Sequence, residues 1–242
     1  MHRLILLPGW GLGPAALQPL VDALNGLGLP TELAELPALT SSDPEAWLDE
    51  LDARLPADCW LGGWSLGGML AAALAARRGA RCRGLLTLAS NACFVARAGW
   101  PSAMDEETFA AFRAGCASDA AATLKRFAML CAQGCLDARA LGRQLQQGLP
   151  AQDAAQLLAG LDVLAALDNR AALASFAGPQ LHLLAEGDAL VPSAAAATAA
   201  LLALLPAGEV DVLEGSGHAL VLEQPQALAA LLAEFIREAG DD

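Results

Sequence analysis

Cations are scarce in this 242-residue chain: lysine and arginine number 14 against 27 aspartates and glutamates, a formal net charge of −13. So acidic a surface repels phosphate backbones and anionic lipid, which sets aside nucleic-acid and membrane-surface binding as overall roles. A long uncharged apolar run is also missing, although hydrophobic residues make up 55% of the chain. The nearest candidate, residues 189–208, is interrupted by Pro192 and Pro206. Its apolar part is too short to cross a bilayer, so a buried amphipathic helix is expected there. Leu4, Ile5, Leu6 and Leu7 end at Pro8 and Gly9, too soon for the core of an export signal. No C-x-x-C pair occurs among Cys59, Cys82, Cys93, Cys116, Cys131 and Cys135. Scattered cysteines of this kind fit free thiols in a reducing cytoplasm. Cys131 and Cys135 are one helical turn apart, but no histidine near them in sequence completes a ligand set, so no metal is expected. Histidine itself is rare, with three in the chain.

Against these absences stands one conspicuous pentapeptide. Gly63, Trp64, Ser65, Leu66 and Gly67 follow a short apolar segment and precede a run of helix formers beginning at Met69. A serine hydroxyl is a weak nucleophile at neutral pH and must be exposed, given a base and supplied with an oxyanion site. A G-x-S-x-G turn from strand to helix meets the geometric part of that demand. Its glycines let strand and helix approach closely, and the next backbone N–H, that of Leu66, points at the developing charge. An ordinary tight turn with small residues around a serine is the alternative.

The length suits one α/β domain, residues 1–242, with an insertion. An apolar strand at the N-terminus runs into Pro8, Gly9, Trp10, Gly11, Leu12, Gly13 and Pro14. A dinucleotide-binding loop would need glycine where Pro14 stands, and proline offers no N–H to a phosphate. The loop is better suited to supply a second oxyanion donor, the N–H of Trp10, with Trp10 as a core anchor the alternative. Helical patterning covers residues 15–27, and alternation over 31–36 predicts a strand. Asp43 and Pro44 read as N-cap and first turn of a helix through Leu55. The serine strand, its helix to Arg78 and a buried strand over 84–89 follow. Strand and helix alternate, so a mostly parallel sheet flanked by helices is expected. From residue 90 to 177 the alternation stops and helical segments recur, with breaks expected at Gly115, Gly134, Gly148 and Pro150. A crossover needs one helix, so the surplus, approximately 95–170, is expected to form a helical lid over the serine, or else a second helical domain. Between Thr108 and Gly148, Arg113, Lys125, Arg126, Arg139 and Arg143 face only Asp119 and Asp137, an excess of three positive charges. This is either a solvated helix face or a surface for an acidic partner.

The alternation then resumes. A strand over 180–185 delivers Glu186, Gly187 and Asp188, a helix covers 194–205, and a strand over 209–213 leads into Gly215, Ser216, Gly217 and His218. Pro225 opens a C-terminal helix. The order Ser65, Asp188, His218 is that of α/β-hydrolase triads and differs from the chymotrypsin and subtilisin orders. His2 is terminal and His182 lies inside a strand, which leaves His218 as the candidate base. Asp188, which follows a strand directly, is preferred as its partner over Asp162 and Asp168 in the helical segment.

LLPGWGL near the N-terminus, GWSLGG around Ser65, KRFAML and DARAL in the helical segment, EGDALVP around Asp188 and GSGHAL around His218 span nearly the whole chain. Together they resemble the pimeloyl-acyl-carrier-protein methyl ester esterases of biotin synthesis, the BioH-type α/β-hydrolases. Pro8 stands where most of that family have histidine, and the chain between RF and DARAL is shorter. The resemblance implies a serine carboxylesterase acting on the methyl ester of a pimeloyl chain carried on acyl-carrier protein. It implies substrate contacts at Trp10, Ser65, Leu66, Phe127, Ala128, Met129, Leu130, Cys131 and His218, and carrier-protein contacts at Arg126 and Arg139. No cofactor, nucleic acid or membrane is expected, and a cytoplasmic monomer is. The alternatives are a broad short-chain esterase or C–C bond hydrolase of the same fold, and a non-catalytic binding protein on this scaffold.

Overall fold

The computed structural model describes residues 3–241; His2, set aside above as terminal, lies outside them. In chain order the elements are β1 (Leu4–Leu7), a 3-10 turn (Pro14–Leu17), α1 (Gln18–Gly26), β2 (Thr31–Leu33), α2 (Pro44–Arg54), β3 (Cys59–Trp64) and α3 (Leu66–Arg78). After a second 3-10 turn come β4 (Cys82–Leu88), α4 (Glu106–Ser118), α5 (Ala120–Ala132), α6 (Ala138–Gln147), α7 (Ala154–Ala166) and α8 (Arg170–Ser175). The chain closes with β5 (Gln180–Ala185), α9 (Ala195–Leu202), β6 (Gly208–Leu213), α10 (Leu220–Glu223) and α11 (Pro225–Asp241).

The six strands form one sheet in the order β2-β1-β3-β4-β5-β6, every neighbouring pair parallel. A parallel sheet covered on both faces needs strands that are apolar on both sides. β1, β3 and β5 are buried at every position, which is why they read as short unbroken apolar runs. The chain direction across the sheet reverses between β1 and β3. The crevice beyond the carboxyl ends of those two strands is the natural site position in such sheets.

Besides shifts of one to three residues at the ends of α1 and β4, three expectations differ. β2 spans only Thr31–Leu33. Ala34 still pairs with Leu6, but Glu35, Leu36 and Pro37 then leave the edge to line a surface cleft. Gly115 does not break a helix; it sits inside α4, where a Cβ would lie 3.5 Å from Thr123 Oγ1 and the crossing with α5 is close. The helix expected over 194–205 spans Ala195–Leu202, with Ala197 and Leu201 buried and Leu202 facing outward. It is neither wholly buried nor amphipathic: alanine, leucine and one threonine make up both faces, and only the inner face is buried. Among the described residues no helix is long and apolar enough to cross a membrane. All six cysteines are buried and unpaired.

α8 packs on α3 and serves as the crossover from β4 to β5, while α4 packs on α5 and α7, and α5 on α6. The base of this helical group is tied together by charge. Arg170 chelates Asp168 and donates to Ala98 O, and Arg97 donates to Ala165 O at 2.5 Å.

Under the sheet lies a buried polar cluster. Thr87 Oγ1 is 2.7 Å from His182 Nδ1, and Gln180 Oε1 is 3.4 Å from Nε2. Burial alone pushes the His182 imidazole down to about 4, because no carboxylate compensates the lost hydration of its charged form. Below about pH 6.5 the unfolded chain takes up this proton and the folded chain does not, so stability falls as pH drops through that window toward 4. Urea unfolding of wild type and His182→Gln at pH 7 and pH 5 should show an extra loss of about 2 kcal/mol in wild type at the lower pH.

Candidate active site

Between β3 and α3 the chain turns at Ser65 with φ 55° and ψ −122°. A residue bearing a Cβ in this region carries strain of about 1–3 kcal/mol and stays there only if its surroundings hold it. Here Ser65 N–H donates to Leu88 O at 2.9 Å, and the Ser90 hydroxyl donates to Ser65 O at 2.6 Å. The flanking glycines are sterically required: a Cβ on Gly63 would lie 2.2 Å from Gly67 C, and one on Gly67 2.3 Å from Leu7 O. The hydroxyl is thus presented at the positive end of the thirteen-residue helix α3.

The loop after β1 lies against this turn. A Cβ on Gly9 would be in ordinary contact with Ser65 Cβ at 3.4 Å. Neither the backbone N–H of Trp10 nor that of Leu66 donates a hydrogen bond among the described residues, so both remain free for a ligand oxygen. The two sequence readings of Trp10 turn out to be compatible. While its backbone stays free, its indole donates to Leu157 O at 2.9 Å and meets Phe127 and Phe112 edge-on, with ring centroids 5.0 and 5.6 Å apart.

His218 and Asp188 come together from loops thirty residues apart. His218 Nδ1 lies 2.8 Å from Asp188 Oδ2, and both side chains are wholly buried. The other carboxylate oxygen accepts from Leu190 N–H at 2.8 Å and Val191 N–H at 3.0 Å. Asp188 is therefore fully engaged, and the ring's far nitrogen, Nε2, is buried with no partner. An unpaired buried ring nitrogen is unfavourable unless a ligand or nucleophile uses it. Trp64, the residue before the serine, donates its indole N–H to His218 O at 2.8 Å and so ties the turn to the histidine loop. Asp162 and Asp168 do not reach this loop. Asp162 pairs with Arg113, and Arg170 beside Asp168 holds its carboxyl well below the usual range.

The residues of α5 divide by helical face. Phe127 and Leu130 line an apolar cavity of about 70 Å³ with Trp10, Phe112, Leu164 and Leu190. Ala128 and Cys131 are buried against the body of the protein. Met129 lies apart from this cavity; it faces an open groove formed with Lys125, Arg126, Leu130, Gln133 and Gln146. Arg126 and Arg139 are exposed. With Lys125 and Arg143 they lack any carboxylate within ion-pair distance among the described residues, whereas Arg3, Arg77, Arg78, Arg83, Arg113 and Arg170 are all paired. Sequence reasoning missed Ser90 and Trp64. Ser90 lies two residues beyond the end of β4, a position that could have been flagged, but no local pattern announces a bond from Trp64 across 154 residues.

The family model described as "Alpha/beta hydrolase family" matches residues 4–231. The chain belongs to that family. This α/β-hydrolase is 36% identical over 250 residues to a pimeloyl-acyl-carrier-protein methyl ester esterase of Aromatoleum aromaticum, covering 97% of this chain and 98% of that one. It is 41% identical over 238 residues to the biotin biosynthesis bifunctional protein BioHC of Cellvibrio japonicus, covering 96% of this chain. There the chain spans about half of the relative, 47% of its length. An esterase from Exiguobacterium antarcticum superposes with a TM-score of 0.84 over 98% of this chain and 92% of that one at 16% identity, which attests the fold. The motif-level resemblance and the α/β-hydrolase fold expected from sequence are thus borne out.

Within this α/β-hydrolase the serine turn has no spare volume. Gly67→Ala should lower stability by about 1–3 kcal/mol or more, and should reduce fluorophosphonate labelling of Ser65 in whatever folded protein remains. Thermal melts and intact-mass labelling check both parts.

Proposed function

We propose that the chain is a serine carboxylesterase that cleaves the methyl ester at the end of a pimeloyl chain carried on acyl-carrier protein, a step of biotin synthesis. The observation that carries this reading is the buried His218 imidazole, held by Asp188 on one nitrogen and unpartnered on the other, beside a strained serine turn. Ser65 Oγ attacks the ester carbonyl while His218 Nε2 takes its proton, and Asp188 stabilises the imidazolium. The N–H groups of Trp10 and Leu66 receive the oxyanion. Methanol leaves with the proton from His218, and water activated by the same nitrogen then releases the carboxylic acid. Ser65, Asp188 and His218 are the catalytic residues in this scheme.

Helices α4 to α7 act in this proposal as the lid. Their aromatic residues close over Trp10, and Leu130 borders both the apolar cavity and the groove beside Lys125 and Arg126. An acyl chain entering past Leu130 would have its reacting end in an apolar chamber and its carrier on a positively charged face. Acyl-carrier proteins are acidic, and a basic docking face steers such a partner. The names borne by the relatives support the same substrate. A monomer in the cytoplasm belongs to the proposal, supported there by six unpaired cysteines.

Ser65→Ala should lower kcat on the carrier-protein methyl ester by several orders of magnitude, on the order of 10⁶-fold, and abolish fluorophosphonate labelling. Mass spectrometry of the carrier protein, following loss of the methyl group, reads the outcome. Persistent turnover would exclude Ser65 as nucleophile. Arg126→Glu with Arg139→Glu should reduce kcat/KM for the carrier-linked ester at least about tenfold while sparing a small free ester, as expected when docking charges are reversed. Equal losses on both esters, or equal wild-type kcat/KM for both, would favour a broad short-chain esterase.

A further inference from the structure

The turn joining α5 to α6 is wedged against both loops that carry the acid and the base. A Cβ on Gly134 would lie 1.9 Å from Gly187 O, and one on Gly217 would lie 2.4 Å from Gln133 O. Ala219 N–H donates to Cys131 O at 2.9 Å, and Gly187 N–H donates to Ser216 O at 2.8 Å. One acidic side chain spans the junction. Glu223, at the end of α10, accepts from Leu136 N–H through Oε1 at 2.6 Å and from Gly217 N–H through Oε2 at 3.4 Å. Gly217 immediately precedes His218. Leu136 leads into α6, which carries Arg139 and Arg143. Burial, and then the Glu223 carboxylate beside it, push the Cys135 thiol up to about 12, so that thiol stays neutral.

The His218 ring has a single side-chain hydrogen bond, to Asp188. One bond fixes the distance to the acid, and packing of the wholly buried ring, with Trp64 5.7 Å away between centroids, limits its rotation. The placing of the ring as a whole, and with it the aim of Nε2, depends on the backbone of the histidine loop. Five other tethers hold that loop: Trp64 at His218 O, Cys131 at Ala219 N–H, Gly187 at Ser216 O, Gln224 at the Ser216 hydroxyl, and the Glu186 carboxylate at Gly215 N–H. Glu223 differs from these in that its two charged oxygens join the α5–α6 turn, through a short 2.6 Å bond, to the histidine loop, through a longer 3.4 Å one. Bonds to an ionised acceptor are the stronger kind.

We propose that Glu223 is a positioning residue that sets His218 against Ser65 by bridging the base loop to the α5–α6 turn. The inference rests on the serine-esterase reading. It makes the seat of the basic helix pair and the aim of the base parts of one mechanical unit. Substrate need not touch Glu223 for its loss to slow the reaction, because a misplacement of the reacting groups by about 1 Å is worth on the order of 100-fold in rate.

The test compares wild type, Glu223→Ala and Glu223→Gln on p-nitrophenyl butyrate, with turnover normalised to sites titrated by a fluorophosphonate. Glu223→Ala should lower kcat per titrated site on the order of 10- to 100-fold with KM nearly unchanged. Glu223→Gln should fall between, since one oxygen still accepts while its amide nitrogen now faces an N–H. A structural defect alone would reduce the number of titratable sites and leave turnover per site intact. Wild-type turnover per site in Glu223→Gln, or an effect confined to KM, overturns the inference, even if Glu223→Ala fails to fold. Failure of the fluorophosphonate to label wild type at all would instead sink the esterase reading on which it stands.

Discussion

A serine held at φ 55° is the constraint from which the rest of the site follows. The conformation is unfavourable in isolation, and it persists because β3, β4 and α3 each supply a hydrogen bond or a contact that a relaxed turn would forfeit. Gly63 and Gly67 allow the approach, and the Leu7 carbonyl stands so close to Gly67 that β1 is part of the same packing unit. Once the turn is set, the carboxyl ends of β1 and β3 would define where an oxyanion lies in the proposed reaction. The free amides of Trp10 and Leu66 flank that position. The strain at Ser65 is therefore local, whereas the packing that sustains it extends across the centre of the sheet.

Around that turn, polar satisfaction is nearly complete, and the exception is informative. Asp188 has both oxygens occupied, Ser216 has its hydroxyl and carbonyl bonded, and the His218 carbonyl is taken by the Trp64 indole. Among the buried side-chain atoms described in this neighbourhood, the His218 Nε2 alone is left without a partner. A fold that satisfies the surrounding side chains, and leaves bare one ring nitrogen and the amides of Trp10 and Leu66, has concentrated its unmet hydrogen-bonding capacity at groups that general-base and oxyanion chemistry would use.

Much of this was legible in the sequence because it is written in local patterns. The GWSLG run, the strand ends at Asp188 and His218 and the Asp43–Pro44 cap all announce themselves within a few residues, and Asp43 does accept from Glu45 N–H. What was not legible depends on tertiary context. Gly115 was expected to break a helix, yet a glycine inside a helix is only about 1 kcal/mol worse than alanine and is tolerated where two helices cross closely. The strand expected over 31–36 stops at Leu33 because the edge residues beyond Ala34 are drawn into a surface cleft. Met129 shared a stretch with Phe127 and Leu130, but a period of 3.6 residues turns it about 200° from Phe127, and that rotation could have been worked out beforehand. Glu223 meets Leu136 across 87 residues, a contact no motif encodes.

The distribution of charge completes the picture. In a chain with almost twice as many acids as bases, a randomly placed cation would usually find a carboxylate, and most arginines here do. Surface ion pairs contribute little stability, about 0–1 kcal/mol each, so leaving Lys125, Arg126, Arg139 and Arg143 unpaired on α5 and α6 costs the fold almost nothing. The electrostatic effect is larger than the energetic one. In the proposed docking the acidic remainder of the surface would repel an acidic partner and these four cations would draw it to α5 and α6, although Arg81, elsewhere on the surface, also lacks a carboxylate within ion-pair distance among the described residues. Screening limits this field to about 8–10 Å at physiological salt, which confines it to the helix pair and the groove beside Leu130. The same helix pair is joined to the histidine loop through Glu223, so the face proposed to attract the partner and the loop proposed to carry the base would share one support.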